Sequence, residues 1–310
     1  MKLRRTTGRR LRAGAAGLGP ALLLALVPAS ILACGGHGTA DTLLVSTSWL
    51  ADHLTDPNVV ILAVGDKPDF DAAHIAGAQY LEYKEVAPKG ANGFTAELPP
   101  MAALAAVFAK LGVSNDSRVV VYRIKDSALT QAARVLVTLD AMGLGANAAL
   151  LDGNLATWLG EKRAVTDEVS AAKPGKLEPC AQTDVIADMA FVKTALHGPG
   201  VRVLDARSPE FYSGASTRPP YKPGHIEGAG NVFYATAFDD SGKLKSVDTL
   251  RALFTAAGVK SGDKVVTYCF VGQQASALYV VSRYLGYDTR LYDGSLEEWG
   301  KGENPVAMGK

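Results

Sequence analysis

One cysteine stands where a strand is predicted to give way to a helix, a place where a thiol can act as a nucleophile. The stretch "VTYCFVGQQASALYVV" puts Cys269 after a β-branched run and before a run of small residues. Phe270–Gln274 predict a tight loop, in which Gly272 lets the chain turn back, and a helix is expected to begin at Ala275. Backbone N–H groups of such a loop, with a helix N-terminus behind them, surround a sulfur with donors. We expect this environment to lower the pKa of Cys269 and to yield a reactive thiolate.

The alternative for Cys269 is a buried cysteine that serves only as a small hydrophobic residue. That alternative predicts an apolar or helix-forming continuation, whereas a loop with Gly272 follows. Of the three cysteines in the chain, Cys180 lies in the linker sequence "EPCAQ". It could resolve a reaction intermediate through a disulfide with Cys269, but a linker thiol has no set of donors of its own, and we favour a thiol without a role.

The elements that must position Cys269 follow from a repeat in the chain. "HIAGA" (His74–Ala78) returns as "HIEGA" (His225–Ala229), and "VVVY" (Val119–Tyr122) returns as "VVTY" (Val265–Tyr268). "LDGNLATW" returns as "YDGSLEEW" (Tyr292–Trp299) in the same order. A repeat of this length indicates two duplicated domains rather than a solenoid.

Each half alternates short apolar runs with helix-like segments. The predicted buried strands are "NVVILAV", "SRVVVY" and "AALL" in the first half and "VRVLDA", "DKVVTYC" and "TRLYDG" in the second. This alternation predicts an α/β fold, with a parallel sheet in each domain flanked by helices on both faces. We place the first domain at residues 42–169, a Pro-, Gly- and Lys-containing linker at 170–184, and the second domain at 185–310.

The first 33 residues are typical of an export signal. They hold six basic and no acidic residues, followed by the apolar run "ALLLALVPASILA", which is too short to span a bilayer. "ILAC" (Ile31–Cys34) resembles a bacterial lipobox, which implies cleavage before Cys34 and a diacylglyceryl group on its sulfur. An ordinary signal peptide with an incidental Cys34 is the alternative. We expect an exported protein of the cell envelope or periplasm, anchored at Cys34 through a tether of residues 34–41, with the Sec or twin-arginine route left open.

The charge of the body bears on its partners. Without the six basic residues of the signal, 26 basic residues face 31 acidic ones. A mildly acidic body gives no electrostatic reason to bind nucleic acid. The histidines and remaining thiols show no clustered ligand spacing, so we expect no metal and no cofactor.

Four motifs together resemble those of a tandem-domain rhodanese, a sulfurtransferase. They are "LDARSPEFY" (Leu204–Tyr212), "GHIEGA" (Gly224–Ala229), "VVTYCFVGQQAS" (Val265–Ser276) and "YDGSLEEW". The resemblance implies two similar α/β domains with the active site between them and the cysteine in the second. It also implies a monomer that takes sulfane sulfur from thiosulfate or 3-mercaptopyruvate and gives it to cyanide or a thiol, through a persulfide on Cys269.

The resemblance and the loop together assign roles to the residues near Cys269. The N–H groups expected to stabilise charge on the sulfur are those of Phe270, Val271, Gly272, Gln273 and Gln274. Asp205 and Arg207, at the end of "VRVLDAR", are expected at the same sheet edge as substrate-binding candidates. A structural ion pair that ties the loop to the sheet is the interpretation of Asp205 and Arg207 that we favour.

The repeat indicates that only the second half is built for chemistry. Aligning "KPDF" with "SPEF" sets Val64 opposite Asp205 and Asp66 opposite Arg207, and aligning "VVVY" with "VVTY" sets Arg123 opposite Cys269. The first half thus lacks the thiol, the acid and the arginine.

Other polar residues receive mainly structural assignments. His225 is expected to fix a turn rather than to shuttle protons, whereas His74 is its counterpart and could face the cleft. Asp293 and Trp299 read as turn and core residues. Arg123 could direct a positive charge into the cleft, with a solvent-exposed position as the default.

The loop departs from the family pattern in one respect. Thiosulfate-preferring members resemble one another in having basic residues directly after the cysteine, where Phe270 and Val271 stand here. Each lost charge-assisted hydrogen bond is worth about 1.5–3 kcal/mol. Val271 does not match the mercaptopyruvate pattern either, so the donor stays open. Arg218 and Lys222, on the inserted segment "SGASTRPPYKPG", could supply the charge or could be solvated surface.

The sequence also bears on two other functions. A related dual-specificity phosphatase needs an arginine six residues after the cysteine, and Ala275 stands there, which argues against a phosphate clamp. The second is a non-enzymatic exported protein that binds sulfane sulfur or docks a partner. Intact Cys269 and Gly272 argue against this second function for the second half.

Overall fold

The computed structural model describes residues 1–2 and 36–309. Residues 3–33 of the predicted signal segment and the predicted lipidation site Cys34 lie outside the described residues. Both halves of the body belong to one compact unit. No helix in the described part of the chain is long and apolar enough to cross a membrane.

The first half folds around a five-stranded parallel sheet. Its strands are β1 (Leu44–Val45), β2 (Val59–Val64), β3 (Gln79–Tyr80), β4 (Arg118–Arg123) and β5 (Ala148–Leu151). Their order across the sheet is β1-β5-β4-β2-β3. The central strands are rich in valine and leucine and are buried, because helices cover both faces of the sheet.

The second half repeats this sheet. Its strands are β6 (Ile186–Ala187), β7 (Val201–Asp205), β9 (Gly230–Asn231), β10 (Lys264–Tyr268) and β11 (Thr289–Tyr292). The order β6-β11-β10-β7-β9 matches that of the first half, position for position. A small antiparallel pair, β8 (His225–Ile226) with β12 (Val306–Ala307), lies beside it. The predicted α/β fold of two parallel-sheet domains is therefore confirmed.

Helices connect the strands in both halves. Those of the first half are α1 (Ala40–Leu43), α2 (Thr47–Asp52), α3 (Lys67–Ala72), α4 (Tyr83–Val86), α5 (Met101–Lys110), α6 (Leu129–Ala141) and α7 (Leu155–Gly160). Those of the second half are α8 (Met189–His197), α9 (Pro209–Ser213), α10 (Val247–Ala256), α11 (Gln273–Tyr284) and α12 (Ser295–Trp299). Residues 170–182 of the predicted linker contain neither helix nor strand.

Hydrogen bonds made by equivalent side chains confirm the duplication. The hydroxyl of Tyr122 accepts from the N–H of Ile75 at 3.3 Å, and that of Tyr268 accepts from the N–H of Ile226 at 3.0 Å. In sheet register, Tyr122 pairs with Ala63 and Tyr268 pairs with Asp205. Asp205 therefore corresponds to Ala63, one residue from the predicted Val64, because the first half has one more residue before "KPDF". The same register sets Gly65, not Asp66, opposite Arg207.

The two halves share an apolar core. Helices α6 and α11 pack against each other, and one buried cluster contains Leu136, Leu278 and Cys269. On the far face of each sheet lies a separate cluster, with Trp158 in the first half and Trp299 in the second. The α6–α11 contact places the carboxyl end of β10 at the junction between the halves.

The described part of the predicted tether is bound to the body. The ring of His37 contacts Asp140 on α6 through Nδ1 at 2.8 Å and Asp184 through Nε2 at 3.1 Å. The hydroxyl of Tyr279, on α11, donates to the other oxygen of Asp140 at 2.6 Å. Residues 36–41 are thus not the flexible tether that the sequence suggested, because two carboxylates hold His37.

Candidate active site

Cys269 follows β10 at the carboxyl edge of the second sheet, where side chains of α/β proteins converge on ligands. Cys269 is only 1% exposed, and its thiol forms no disulfide. The N–H of Cys269 donates to the hydroxyl of Ser295 at 3.2 Å, which fixes the start of the loop. The sulfur itself accepts hydrogen bonds from the backbone N–H groups of Val271, Gln274 and Ala275.

These donors can hold an anionic sulfur, but they do not lower the resting pKa of the thiol. Complete burial raises the pKa of Cys269 above its ordinary value, the three N–H donors oppose that rise, and the carboxylate of Asp205 adds to it. The prediction of a lowered pKa is therefore wrong. Its physical reason is that the cost of removing a thiolate from water exceeds the gain from backbone donors.

The turn after Cys269 is shorter than predicted. Gly272 has φ of +79° and is the N-cap residue of α11, so the helix begins at Gln273, two residues before Ala275. The donors to the sulfur include Ala275, which was not predicted, beside the predicted Val271 and Gln274. The early start of α11 explains this change, since its first turn directs free N–H groups at the preceding residues.

The two predicted glutamines lie in the first turn of α11. The amide of Gln273 donates to the hydroxyl of Thr130 at 2.9 Å, a hydrogen bond that crosses between the halves. The side-chain oxygen of Gln274 is buried without a partner among the described residues. The backbone N–H of Gln274 donates to the sulfur.

Asp205 and Arg207 form a buried ion pair near the loop. The guanidinium donates from Nε at 3.0 Å and from Nη2 at 2.6 Å to the two carboxylate oxygens, and Nη2 also donates to the carbonyl of Gly224 at 2.7 Å. The guanidinium also lies 4.7 Å from the centre of the Phe270 ring. This geometry favours the structural interpretation, in which the pair braces the loop; substrate contact stays a prediction.

The inserted segment covers Phe270. Tyr221 lies 4.8 Å and Phe211 5.1 Å from its ring centre, and the exposed Arg218 lies 5.2 Å away over the same ring. Arg218, on the inserted segment, is thus a cation next to Phe270, which directly follows Cys269. Lys222 instead donates to the carbonyl of Gly302 at 2.8 Å.

The first half contributes a charged residue that sequence reasoning missed. Arg134 on α6 is fully buried and bonds Asp293 through Nη1, and through Nη2 at 2.9 Å. A side-chain carbon at Gly272 would lie 2.8 Å from Oδ1 of Asp293 and 3.1 Å from Nη1 of Arg134, so the ion pair lies directly behind the turn. A lone arginine in the apolar run "QAARVLVTLDAM" was the available signal. Asp293 is therefore more than the turn residue that was predicted.

Three tyrosines also surround Cys269: Tyr83 from the first half, and Tyr221 and Tyr234 from the second. Burial raises the pKa of each, and a charge on Cys269 raises it further. No motif in the sequence pointed to them, because they come from three separate segments.

The two histidines of the repeated "HIxGA" motif each bond to a residue of their own half. His74 donates from Nδ1 to the carbonyl of Phe70 at 2.8 Å and stacks on that ring, and His225 makes the same contacts with Tyr212. Both histidines are buried and fix turns. The expectation that His74 could face the cleft is wrong.

Arg123 occupies the position that corresponds to Cys269 in the first half. It is 1% exposed, not solvated as expected by default, and it bonds the carbonyl of Gly242 from the second half. With Asp126 and Tyr234 it lines a cavity of ≈ 270 Å³ between the halves. Its charge stabilises that junction rather than the sulfur.

Cys180 cannot resolve an intermediate on Cys269 as it stands. Cys180 takes part in a disulfide, whereas Cys269 is free, so the two sulfurs are not joined. The N–H of Cys180 donates to the carbonyl of Met142 at 3.0 Å, which holds the linker against the end of α6. The expectation of a thiol without a role is therefore wrong.

Comparisons with known proteins agree with this geometry. The family model "Rhodanese-like domain" matches residues 46–161 and 188–301. The sulfur carrier protein TtuD of Thermus thermophilus is 33% identical over 86% of this chain and 97% of its own length. A thiosulfate sulfurtransferase of Pseudomonas aeruginosa is 27% identical over 83% of this chain and 94% of its own. The crystal structure of the 3-mercaptopyruvate sulfotransferase SseA from Escherichia coli superposes with a TM-score of 0.72 at 24% identity, over 82% of this chain and 98% of that one.

Proposed function

The chain belongs to the rhodanese family, and from that membership we propose that it is a sulfurtransferase whose persulfide forms on Cys269. The observation that carries the proposal is the position of this one free thiol among the described cysteines, at the sheet edge with three backbone N–H donors on its sulfur. Such preorganised donors stabilise charge on a sulfur that is excluded from water.

The reaction proceeds in two balanced steps. The Cys269 thiolate attacks the sulfane sulfur of thiosulfate, an S–S bond to Cys269 forms, and the bond to the sulfonate breaks with release of sulfite. With 3-mercaptopyruvate the C–S bond breaks instead, and pyruvate leaves with the thiol proton on its methyl group. Cyanide or an acceptor thiolate then attacks the outer sulfur and restores the Cys269 thiolate.

The surroundings of Cys269 support this role without fixing the donor. Burial of the sulfur excludes water, which protects a persulfide from side reactions. Phe270 and Val271 provide no charge, and Arg207 is neutralised by Asp205. Arg218, 5.2 Å from the Phe270 ring, is the exposed cation nearest to that ring in the described structure and could attract an anionic donor.

Intact mass spectrometry tests the proposal directly. We expect the protein to gain one sulfur when incubated with thiosulfate or with 3-mercaptopyruvate, and Cys269→Ser to gain none. The donor that gives the adduct identifies the substrate. No adduct from either donor, on protein whose Cys269 is shown to be reduced, would reject the sulfurtransferase function.

A second function, sulfur carriage with little turnover, is supported by one observation: the 33% identical Thermus thermophilus relative is named a sulfur carrier protein. The chemistry on Cys269 would be the same, but the acceptor would be another protein. Steady-state turnover with cyanide or small thiols distinguishes the two, since a carrier would load once and release slowly.

Export and lipid anchoring at Cys34 form a further part of the proposal. The basic segment, the apolar run and "ILAC" support it. Mass spectrometry of the N-terminal peptide from the natural host is the test. A thioether-linked diacylglyceryl group on Cys34 is expected, whereas a reducible disulfide between Cys34 and Cys180 would exclude lipidation. We also propose that the protein is a monomer, which light scattering would check.

A further inference from the structure

The side chain of Tyr83 brings a hydroxyl group from the first half into the surroundings of Cys269. Helix α4 packs against α6, and the Tyr83 ring packs on the apolar cluster that contains Cys269. The charged groups that act on the Tyr83 hydroxyl are Arg134, Cys269 and Asp293. Tyr83 therefore borders the site from the half that has no thiol.

The hydroxyl of Tyr83 is buried and has no hydrogen-bond partner among the described residues. Buried polar groups are paired in nearly all native structures, because an unpaired one loses its bonds to water without replacement. The neighbouring donors are already engaged: Nη1 of Arg134 bonds Asp293, and Nη2 bonds both Asp293 and the carbonyl of Ala96. An unpaired hydroxyl beside a nucleophile calls for a partner that arrives during the reaction.

The thiol of Cys269 is not that partner, since the hydroxyl makes no hydrogen bond to its sulfur. A persulfide carries a second sulfur about 2.05 Å beyond the first. This outer sulfur bears the negative charge of the persulfide.

We propose that the hydroxyl of Tyr83 donates a hydrogen bond to the outer sulfur of the Cys269 persulfide, so that the half without the thiol supplies a catalytic residue. The inference rests on the proposed function, because it requires that the persulfide forms. Burial raises the pKa of Tyr83 to about 12, so its hydroxyl keeps its proton and acts as a donor without transferring it. No bond to the tyrosine forms or breaks.

The test is the reverse of the loading step. Sulfite attacks the outer sulfur, forms thiosulfate and returns the Cys269 thiolate, so the sulfite concentration that removes half of the persulfide measures its stability. Removing one preorganised donor from an oxyanion site slows catalysis by about 10²–10³-fold. The charge on a sulfur atom is more diffuse than that on an oxygen atom, so the loss of one donor has a smaller effect here. We therefore expect Tyr83→Phe to lower this sulfite concentration about tenfold.

Tyr80→Phe is the matched control. Tyr80 lies three residues earlier in the same half, and its hydroxyl donates to the carbonyl of Gly65 at 3.0 Å. We expect Tyr80→Phe to have the sulfite midpoint of the unsubstituted protein and a lower melting temperature. Tyr83→Phe should melt at the same temperature as the unsubstituted protein or higher, because its hydroxyl has no bond to lose.

Each other outcome rejects the inference. An unchanged sulfite midpoint in Tyr83→Phe, with normal sulfur uptake, would reject it and leave the persulfide on Cys269 intact. A loss of stability in Tyr83→Phe would show that the hydroxyl has a structural partner. If the unsubstituted protein takes up no sulfur, the proposed function fails, and the role of Tyr83 fails with it.

Discussion

Arg134 of the first half and Asp293 of the second form a buried ion pair that lies directly behind the turn at Gly272. Asp293 also accepts from the N–H of Leu98 at 3.0 Å, so both carboxylate oxygens are bonded to the first half. The pair joins the halves at the point where the sulfur is held. The half that lost the thiol therefore still determines the shape of the site.

Asp293→Asn is expected to destabilise the whole unit. Removing one partner of a buried ion pair leaves the other charge uncompensated, which costs about 3–5 kcal/mol. Urea denaturation should show the loss in the free energy of unfolding. Asp71→Asn, which breaks the exposed pair with Lys67, is the control and should change that free energy by less than about 1 kcal/mol. Equal effects of the two substitutions would contradict this account.

Gly272→Ala is expected to reduce both stability and sulfur uptake. A left-handed φ costs a residue other than glycine about 1–2 kcal/mol, and the new carbon would also lie 2.8 Å from Asp293 Oδ1. Gly286→Ala separates the two causes, because Gly286 has φ of +86° but no heavy atom within 4 Å of an added carbon. Thermal denaturation and intact mass should show a larger effect at Gly272. A similar effect at Gly286 would mean that backbone strain alone matters.

The reactivity of Cys269 is expected to rise steeply with pH. Its pKa is raised by burial, so below that pKa the thiolate fraction, and with it the alkylation rate, grows about tenfold per pH unit. The raised pKa also makes folding stability depend on pH. The buried neutral thiol contributes fully to stability below the pKa of the unfolded thiol, and this contribution declines as pH rises toward the pKa of the folded thiol. Iodoacetamide labelling followed by mass spectrometry measures the profile. A rate that is already constant at neutral pH would disprove the raised pKa.

His37 is expected to make stability depend on pH near neutrality. Its hydrogen bond to Asp140 is the main cause that raises its pKa, with Asp184 adding to it, while burial and the more distant Arg283 oppose the rise. Protonated His37 therefore stabilises the fold below its unfolded pKa of about 6.5, and this contribution is lost as pH rises through the higher folded pKa. Melting temperatures across this range, compared with His37→Gln, measure the effect. The variant should lack the decline, and a decline that persists in it would assign the effect to another group.

Much of the fold follows from sequence patterns alone. Runs such as "VVVY" and "VVTY" are apolar throughout because strands of a parallel sheet are buried on both faces, so their type and order could be predicted. The repeat of the "HIxGA" and "DGxL" segments predicted two similar domains, and the thiol at a strand end predicted where chemistry would occur. The extra residue before "KPDF" in the first half could not be predicted, because an alignment of motifs carries no information on the hydrogen-bond register of the strands.

The sequence by itself determined the two α/β domains, the position of Cys269 at a strand end and the need for Gly272. Secondary-structure propensity and burial on both sheet faces affect residues that are close in the chain, so they produce patterns that can be recognised in the sequence. Only the tertiary structure decided the surroundings of the sulfur: the Arg134–Asp293 pair, Tyr83 and the raised pKa of Cys269. These depend on the packing of α6 against α11, which brings distant segments together and excludes water. Desolvation and charge pairing are set by that three-dimensional arrangement, so no local pattern could predict them.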